Sequence, residues 1–262
     1  MGKEIMESIK DYNVYNNGMR KSIRDKLFWE GLIDDRVTGI CDFGCADGQL
    51  LKTVHGDFPD WELYGIDNNP HMRELAAETI PEAICSPNLL DMVMIENNDK
   101  QILSITSVIH EIYSYCSEEQ IDKFWDSVFN IGFRYIAIRD FAPSKNINGN
   151  ADINDYQKIL AKGSPEHISS FESVWGSLMD RKNMIHFLMK YRYHANWSRE
   201  VRENYFPITV EDLMAKIPDT YEVAYFNHFV LPFNRDQIRK DFGITLKDNT
   251  HVKLLLKIQG EN

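Results

Sequence analysis

Hydrophobic residues occur along this chain in two patterns that alternate with each other. Short continuous apolar runs predict strands at 37–43, 61–66, 83–86, 101–107 and 133–138, and apolar residues spaced three or four apart predict helices between them. Strands that alternate with helices indicate a parallel sheet with helical crossovers on both faces. Beyond residue 143 the alternation stops, helical patterns extend to about residue 204, and strands return at 221–231 and 250–259.

The first strand ends in a segment rich in small residues, D-F-G-C-A-D-G, at 42–48. A helical pattern follows at once, so a strand is predicted to turn sharply into a helix. Glycine suits such a turn because a Cβ would block it or would hold a ligand away from the backbone. The N–H groups at the start of the helix favour an anionic group of a ligand.

This D-x-G-x-A-x-G segment resembles motif I of the class I S-adenosylmethionine (SAM) methyltransferases, (D/E)-x-G-x-G-x-G. Ala46 takes the place of the middle glycine, and the spacing differs from the G-x-G-x-x-G of dinucleotide-binding folds. The resemblance implies SAM as the cofactor and assigns Asp42, Gly44, Ala46 and Gly48 to its binding. It also implies a seven-stranded, mostly parallel, doubly wound sheet that ends in an antiparallel hairpin.

The second strand ends in Asp67, which is followed by Asn68, Asn69, Pro70, His71 and Met72. A carboxylate at this position can accept hydrogens from both hydroxyls of a ribose. The D-x-x-P-x-M run resembles the corresponding D-x-S-x-x-M segment of the family. The resemblance therefore assigns Asp67, Asn68 and Met72 to the cofactor.

After the third strand, the resemblance implies an acid or amide that contacts the adenine amino group, beside an apolar residue that contacts the ring. Asp91 with Leu90 fits this description, while Met92 is an alternative apolar neighbour and Asn88 an alternative polar one. Ser107, at the end of the fourth strand, is also assigned to the cofactor.

The segment after the fourth strand reads S-V-I-H-E-I-Y at 107–113. It lacks both the (D/N/S)-P-P-(Y/F) signature of nucleic-acid amino-methyltransferases and a Pro-Cys nucleophile, and is similar to the S-x-x-x-H pattern of small-molecule methyltransferases. His110 and Glu111 are candidates for proton removal or for orienting an amine, and each could instead cap a turn or form a surface pair. Tyr113 is a candidate substrate contact.

Asp140, predicted to follow the fifth strand, would lie at the same edge of the sheet and is a third candidate catalytic residue. The alternative interpretation is a structural ion pair between Arg139 and Asp140.

Basic and aromatic residues are interleaved at 181–202, where six lysines and arginines face a single acid, Glu200. This segment is either a lid that binds an anionic or aromatic substrate, with Arg192 and Trp197 as contacts, or an amphipathic helix with a solvated basic face.

Composition narrows the function classes. The 29 Lys and Arg against 40 Asp and Glu give a formal charge of −11, which argues against a general nucleic-acid binder. Neither an apolar run of transmembrane length nor a signal-type segment is apparent, so we expect a cytoplasmic protein without membrane contact. The four cysteines, Cys41, Cys45, Cys85 and Cys116, are expected to be reduced thiols, and no ligand cluster suggests a metal.

The sequence thus predicts a SAM-dependent methyltransferase that acts on an oxygen or nitrogen of a small or medium polar molecule. Two alternatives remain: methylation of RNA or a nucleotide through the basic-aromatic segment at 181–202, and a SAM-binding partner subunit without catalysis. The expected parts are an N-terminal helical cap at 1–33, a Rossmann-like SAM-binding core at 34–141, a helical insertion or lid at 142–206 and the C-terminal part of the core sheet at 207–262.

Overall fold

The computed structural model describes residues 22–94 and 97–260, and most of the predicted N-terminal helical cap, at 1–21, lies outside them. Seven strands form one sheet in the order β3-β2-β1-β4-β5-β7-β6. The first five are parallel, and β7 is antiparallel to both of its neighbours. The strands are β1 (Gly39–Phe43), β2 (Glu62–Ile66), β3 (Ile84–Ser86), β4 (Gln101–Thr106), β5 (Tyr135–Phe141), β6 (Tyr221–Phe229) and β7 (His251–Ile258).

Eleven α-helices are present in the described ranges: α1 (Ile23–Lys26), α2 (Gln49–Asp57), α3 (Pro70–Thr79), α4 (Ile109–Tyr115), α5 (Glu118–Asn130), α6 (Ile153–Lys162), α7 (Pro165–Trp175), α8 (Arg181–Lys190), α9 (Trp197–Glu200), α10 (Val210–Ala215) and α11 (Pro232–Phe242). The helix α5 begins directly after Ser117. Ser117 caps it in a reciprocal pair with Gln120, in which each side chain accepts from the other residue's backbone N–H.

Alternate strand residues pack on opposite faces of the sheet, which gives the predicted three-layer α/β fold. On β5, for example, Ile136 and Ile138 face the side covered by Trp125 of α5, while Tyr135 and Ala137 face the side covered by α2. Residues of the central strands are almost fully buried on both faces, as expected of strands between two helical layers.

The fifth strand is longer than predicted. It continues through Phe141, three residues past the predicted end, because every residue from 135 to 141 pairs with β7. Asp140 therefore lies inside the strand and does not follow it. Arg139 and Asp140 point to opposite faces, so the alternative of an ion pair between them is wrong.

Between β5 and α10 the chain forms four α-helices, α6 to α9. They pack around their own apolar cluster, which includes Ile159, Phe171, Phe187 and Leu188, and α11 adds Ile238. None of the helices in the described ranges has the length and apolar character needed to cross a membrane.

Candidate active site

The turn between β1 and α2 uses a backbone conformation that side chains disfavour. Gly44, Ala46 and Gly48 have φ angles of +79°, +47° and +75°. A Cβ on Gly44 would lie 3.0 Å from Val108 Cγ2, and one on Gly48 would lie 3.1 Å from the backbone of Ala76. Glycine is favoured at both positions because a side chain would be strained in the left-handed backbone and would crowd these neighbours.

Asp67 connects this turn to the end of β2. Its Oδ2 accepts a hydrogen bond from Ala46 N at 3.0 Å, and its Oδ1 accepts one from Asn69 N at 2.9 Å. Burial raises the pKa of Asp67, although these two amide bonds oppose the shift. Each carboxylate oxygen keeps a further lone pair for a hydroxyl donor.

Asp42 is buried at the end of β1, directly before the turn. Burial raises the pKa of its carboxyl to about 7, and the nearby Lys26 ammonium opposes the shift. Its side chain therefore lies beneath the turn rather than in solvent.

A cavity of about 240 Å³ lies beside Asp67, between the edge of the sheet at β2 and β3 and the short 3₁₀ helix at Leu89–Met94. Its walls are formed by Tyr64, Ile66, Ile84, Ser86, Asp91 and Met92. The hydroxyl of Ser86 donates a hydrogen bond to Asp91. Of the two apolar neighbours of Asp91, Met92 is buried and lines the cavity, whereas Leu90 is 60% exposed and does not.

His110 and Asp140 form a buried pair at the ends of β4 and β5. His110 Nδ1 lies 2.8 Å from Asp140 Oδ1, and the same carboxylate accepts hydrogen bonds from the backbone N–H groups of Val108, Ile109 and Phe141. Burial alone would lower the pKa of His110, but the Asp140 carboxylate outweighs it and raises the pKa to about 9. The pKa of Asp140 is lowered despite its burial, because the imidazolium and the backbone amides stabilise its charge.

Glu111, the neighbour of His110 on α4, faces the helical insertion. Arg199 donates from one terminal nitrogen to Glu111 Oε1 at 3.0 Å and to Glu203 Oε1 at 2.6 Å. Tyr115 donates its hydroxyl hydrogen to the same oxygen of Glu203, at 3.0 Å. These contacts attach the insertion to the helix that carries His110 and Glu111.

No protein-family model and no curated protein matches the sequence. The plantazolicin methyltransferase BamL, solved with a triazolic desmethylPZN analog and SAH, matches with a TM-score of 0.53 and 11% identity, over 95% of this chain and 88% of that one. The plantazolicin methyltransferase BpumL, solved with a pentazolic analog and SAH, gives 0.50 and 12%, over 95% and 89%. An O-methyltransferase family protein from Burkholderia thailandensis gives 0.51 and 12%, over 95% of this chain and 60% of that one.

The chain has the class I methyltransferase fold. At these identities the similarity is one of fold, and the predicted sheet with its antiparallel end is confirmed.

Within this methyltransferase fold, several of the predicted site residues gather at the carboxyl ends of the parallel strands. They are Asp42, Gly44, Ala46, Gly48, Asp67, Ser107, His110 and Asp140. Ser107 has a φ of +59° and accepts a hydrogen bond from Arg139. Asn68 is exposed beside Asp67, and Met72 is buried on α3.

The three predicted substrate contacts are not gathered there. Tyr113 accepts a hydrogen bond from the indole of Trp125 on the sheet side of α4. Trp197 donates to Ser170 inside the insertion, and Arg192 is exposed beside Phe233, 5.3 Å from its ring. Their assignment to a substrate stays a prediction.

Sequence reasoning missed Lys26, which lies at this edge of the methyltransferase fold. It belongs to α1 and is 6% exposed, and its ammonium interacts electrostatically with Asp42, Asp140 and Glu111. The signal in the sequence was a lysine three residues after Ile23 and next to Leu27, on the apolar side of a helix.

The sequence also did not indicate a contact between Cys45 and Cys85. The sulfurs of Cys45 and Cys85 both lie against Gly65. A Cβ at Gly65 would be 2.8 Å from one sulfur and 3.2 Å from the other, so glycine makes room for the pair. No group of three or more His, Cys, Asp or Glu side chains within 22–94 and 97–260 could hold a metal ion.

Proposed function

We propose that this protein is a SAM-dependent methyltransferase that acts on an oxygen or nitrogen of a small or medium polar molecule. The observation that carries the proposal is the joint position of the glycine turn, Asp67 and the His110–Asp140 pair along one edge of the sheet. A cofactor site and a proton-handling pair are therefore adjacent.

The residues present fit SAM. The positive φ angles and the absent side chains at Gly44 and Gly48 leave backbone open to a ligand, and Asp67 has acceptor capacity for a ribose diol. The cavity walled by Asp91 and Met92 offers a carboxylate and an apolar surface, which suit the amino group and ring of adenine. SAM, when bound, supplies a methyl group that is already activated by a sulfonium.

The residues of the chain would align the acceptor and handle its proton. Asp140 fixes the ring of His110 through Nδ1, which leaves Nε2 for the acceptor. A protonated His110 donates a hydrogen bond that orients an acceptor oxygen or nitrogen. A positive charge bound nearby lowers the pKa of His110 and favours the neutral form, which can take a proton from a hydroxyl.

The basic residues at 181–202 give little support to RNA as the substrate. Lys190 donates to the backbone carbonyls of Glu200 and Glu203, Arg199 is buried among carboxylates, and Arg181 pairs with Asp248. These side chains are used within the protein, so they cannot serve as a phosphate-binding surface. An RNA enzyme should also lose affinity steeply as salt rises.

Calorimetric titration tests the cofactor. We expect saturable binding of SAM and of S-adenosylhomocysteine (SAH) and no response to NAD. Binding of NAD alone, or of none of the three, would contradict the proposal.

Asp67→Ala should weaken SAH binding by about 1–3 kcal/mol, roughly 5- to 150-fold, because it removes charged hydrogen-bond acceptors from the ribose. Asp67→Asn retains the shape and one acceptor oxygen, so we expect a smaller loss. Asp60→Ala, in the exposed turn before β2, is the control and should bind normally. Unchanged affinity in Asp67→Ala would refute the ribose assignment.

His110→Ala should reduce methyl transfer while leaving SAH affinity near wild type. Labelled methyl transfer to a library of small hydroxyl and amine compounds first identifies an acceptor, and single-turnover rates are then compared. Proton transfer by a positioned side chain typically contributes about 10²–10⁴-fold, which sets the expected loss. A variant that melts at a lower temperature but transfers methyl at the normal rate would make His110 structural. If wild type binds SAH but transfers methyl to nothing, the non-catalytic subunit is favoured.

A further inference from the structure

We propose that Lys26 binds the α-carboxylate of the cofactor's methionyl group. This inference rests on the proposed function, because it assigns a residue to one part of SAM.

Lys26 differs from every other buried cation in the part of the chain that the structure describes. Arg134 pairs with Asp34, Arg139 with Asp25, Arg199 with Glu111 and Glu203, and Lys190 donates to two backbone carbonyls. Lys26 is 6% exposed, and its ammonium has no hydrogen bond or ion pair with any described residue. A cation on a largely buried side chain is costly when it has no partner, so a ligand that pairs with it is favoured.

The position of Lys26 is fixed by its neighbour on α1. Asp25 accepts hydrogen bonds from Arg139 of β5, through Nε at 3.0 Å and through a terminal nitrogen at 2.8 Å, and pairs with Lys253 of β7. These contacts anchor α1 across the end of the sheet. Lys26 interacts electrostatically with Asp42 of β1, Asp140 of β5 and Glu111 of α4, and the Arg139 cation of β5 acts in the opposite direction. Burial is the main reason that its pKa falls to about 8.

The order of the strands indicates which part of the cofactor meets Lys26. Asp67 follows β2 and Asp91 follows β3, so ribose and adenine would lie toward that edge of the sheet. Lys26 lies on the other side of β1, toward β5. The remaining part of SAM is the methionyl group, which carries an α-carboxylate and an α-ammonium.

The charges at this end suit both groups. Among the buried cations of the described residues, Lys26 is the one without a hydrogen-bonded or ion-paired partner, and it can bind the carboxylate. The carboxylates of Asp42 and Glu111 lie in the same electrostatic environment and favour the α-ammonium. A phosphate, which is only negative, or a sulfonium, which is only positive, would be complementary to only one of these two kinds of charge.

The test is a calorimetric cycle with two proteins and two ligands: wild type and Lys26→Met, each titrated with SAH and with decarboxylated SAH, which lacks only the α-carboxylate. Lys26→Met should weaken SAH binding about 10- to 150-fold, the range for a hydrogen bond between charged groups. It should change the affinity for decarboxylated SAH less than about threefold. Lys26→Arg should recover part of the SAH affinity, and Lys52→Met, exposed on α2, is the matched control.

A second readout needs no cofactor. Because Lys26 is buried without a partner, Lys26→Met should leave the melting temperature of the free protein unchanged or raise it. A large drop in melting temperature would make Lys26 a structural residue and overturn the inference.

The outcomes separate this inference from the proposed function. If wild type binds neither SAM nor SAH, the proposed function fails. If wild type binds SAH and Lys26→Met binds it equally well, or if Lys26→Met weakens both ligands to the same extent, the carboxylate assignment fails and the cofactor remains.

Discussion

Asp140→Ala should lower the free energy of unfolding by about 3–5 kcal/mol, the cost of breaking a buried charged pair by removing one partner. The carboxylate accepts from three backbone N–H groups and from His110, all at 2.7–2.8 Å. Its removal leaves these donors without an acceptor at a buried position, since Asp140 is 1% exposed. Urea unfolding measures the effect, and Asp126→Ala, exposed on α5, is the control.

The pH dependence of the free energy of unfolding tests whether the His110–Asp140 ion pair causes this loss. The folded-state pKa of His110 is about 9, above its ordinary value of 6.5, so the pair's contribution is complete below pH 6.5 and is lost as the pH rises to 9. The stability difference between wild type and Asp140→Ala should shrink over this window. His110→Gln removes the titrating imidazole and should therefore lose the same pH dependence. If wild type and Asp140→Ala differ in stability by the same amount at pH 6 and pH 9, the ion pair is not the origin of the difference.

The cofactor half of the site could be predicted because its signals are local. The turn at 42–48 and the acid at Asp67 are each contained in a few residues, and glycine there reports a backbone conformation directly. The end of β5 could not be predicted, because the strand is extended by pairing with β7, more than a hundred residues later. Asp25 and Arg139 are also separated by 114 residues in the sequence, so the contact that anchors α1 could not be predicted.

The choice between Leu90 and Met92 shows a second limit of prediction from sequence, which is the local conformation of a short segment. The sequence offers both as apolar neighbours of Asp91, and only the 3₁₀ helix decides which side chain faces the cavity. The basic segment at 181–202 shows a third. Arg181 and Arg199 were predicted to lie on a basic surface because their partners, Asp248 and Glu111, are distant in sequence.

Arg199→Met should destabilise the protein by about 3–5 kcal/mol, because Arg199 is the cation among three carboxylates. It contacts Glu111 and Glu203 directly and lies 3.7 Å from Glu200. Arg202→Met is the matched control, since Arg202 is exposed on the same segment and donates through Nε to the backbone of Ser198. Equal losses in the two variants would mean that the network adds nothing.

The loss of stability in Arg199→Met should depend on pH. Burial, together with Glu111 and Glu200, raises the pKa of Glu203 to about 7, and Arg199 opposes this shift. A raised carboxyl pKa means that stability is lost as the pH rises from the ordinary value of 4.5 through 7. Without Arg199 the pKa of Glu203 rises further, so the loss of stability in Arg199→Met should be larger at pH 8 than at pH 6.

Because Glu111 is next to His110 on α4, the Arg199→Met variant should also slow methyl transfer while SAH binding beside Asp67 persists. Loss of SAH binding in a folded Arg199→Met protein would instead connect the insertion to the cofactor.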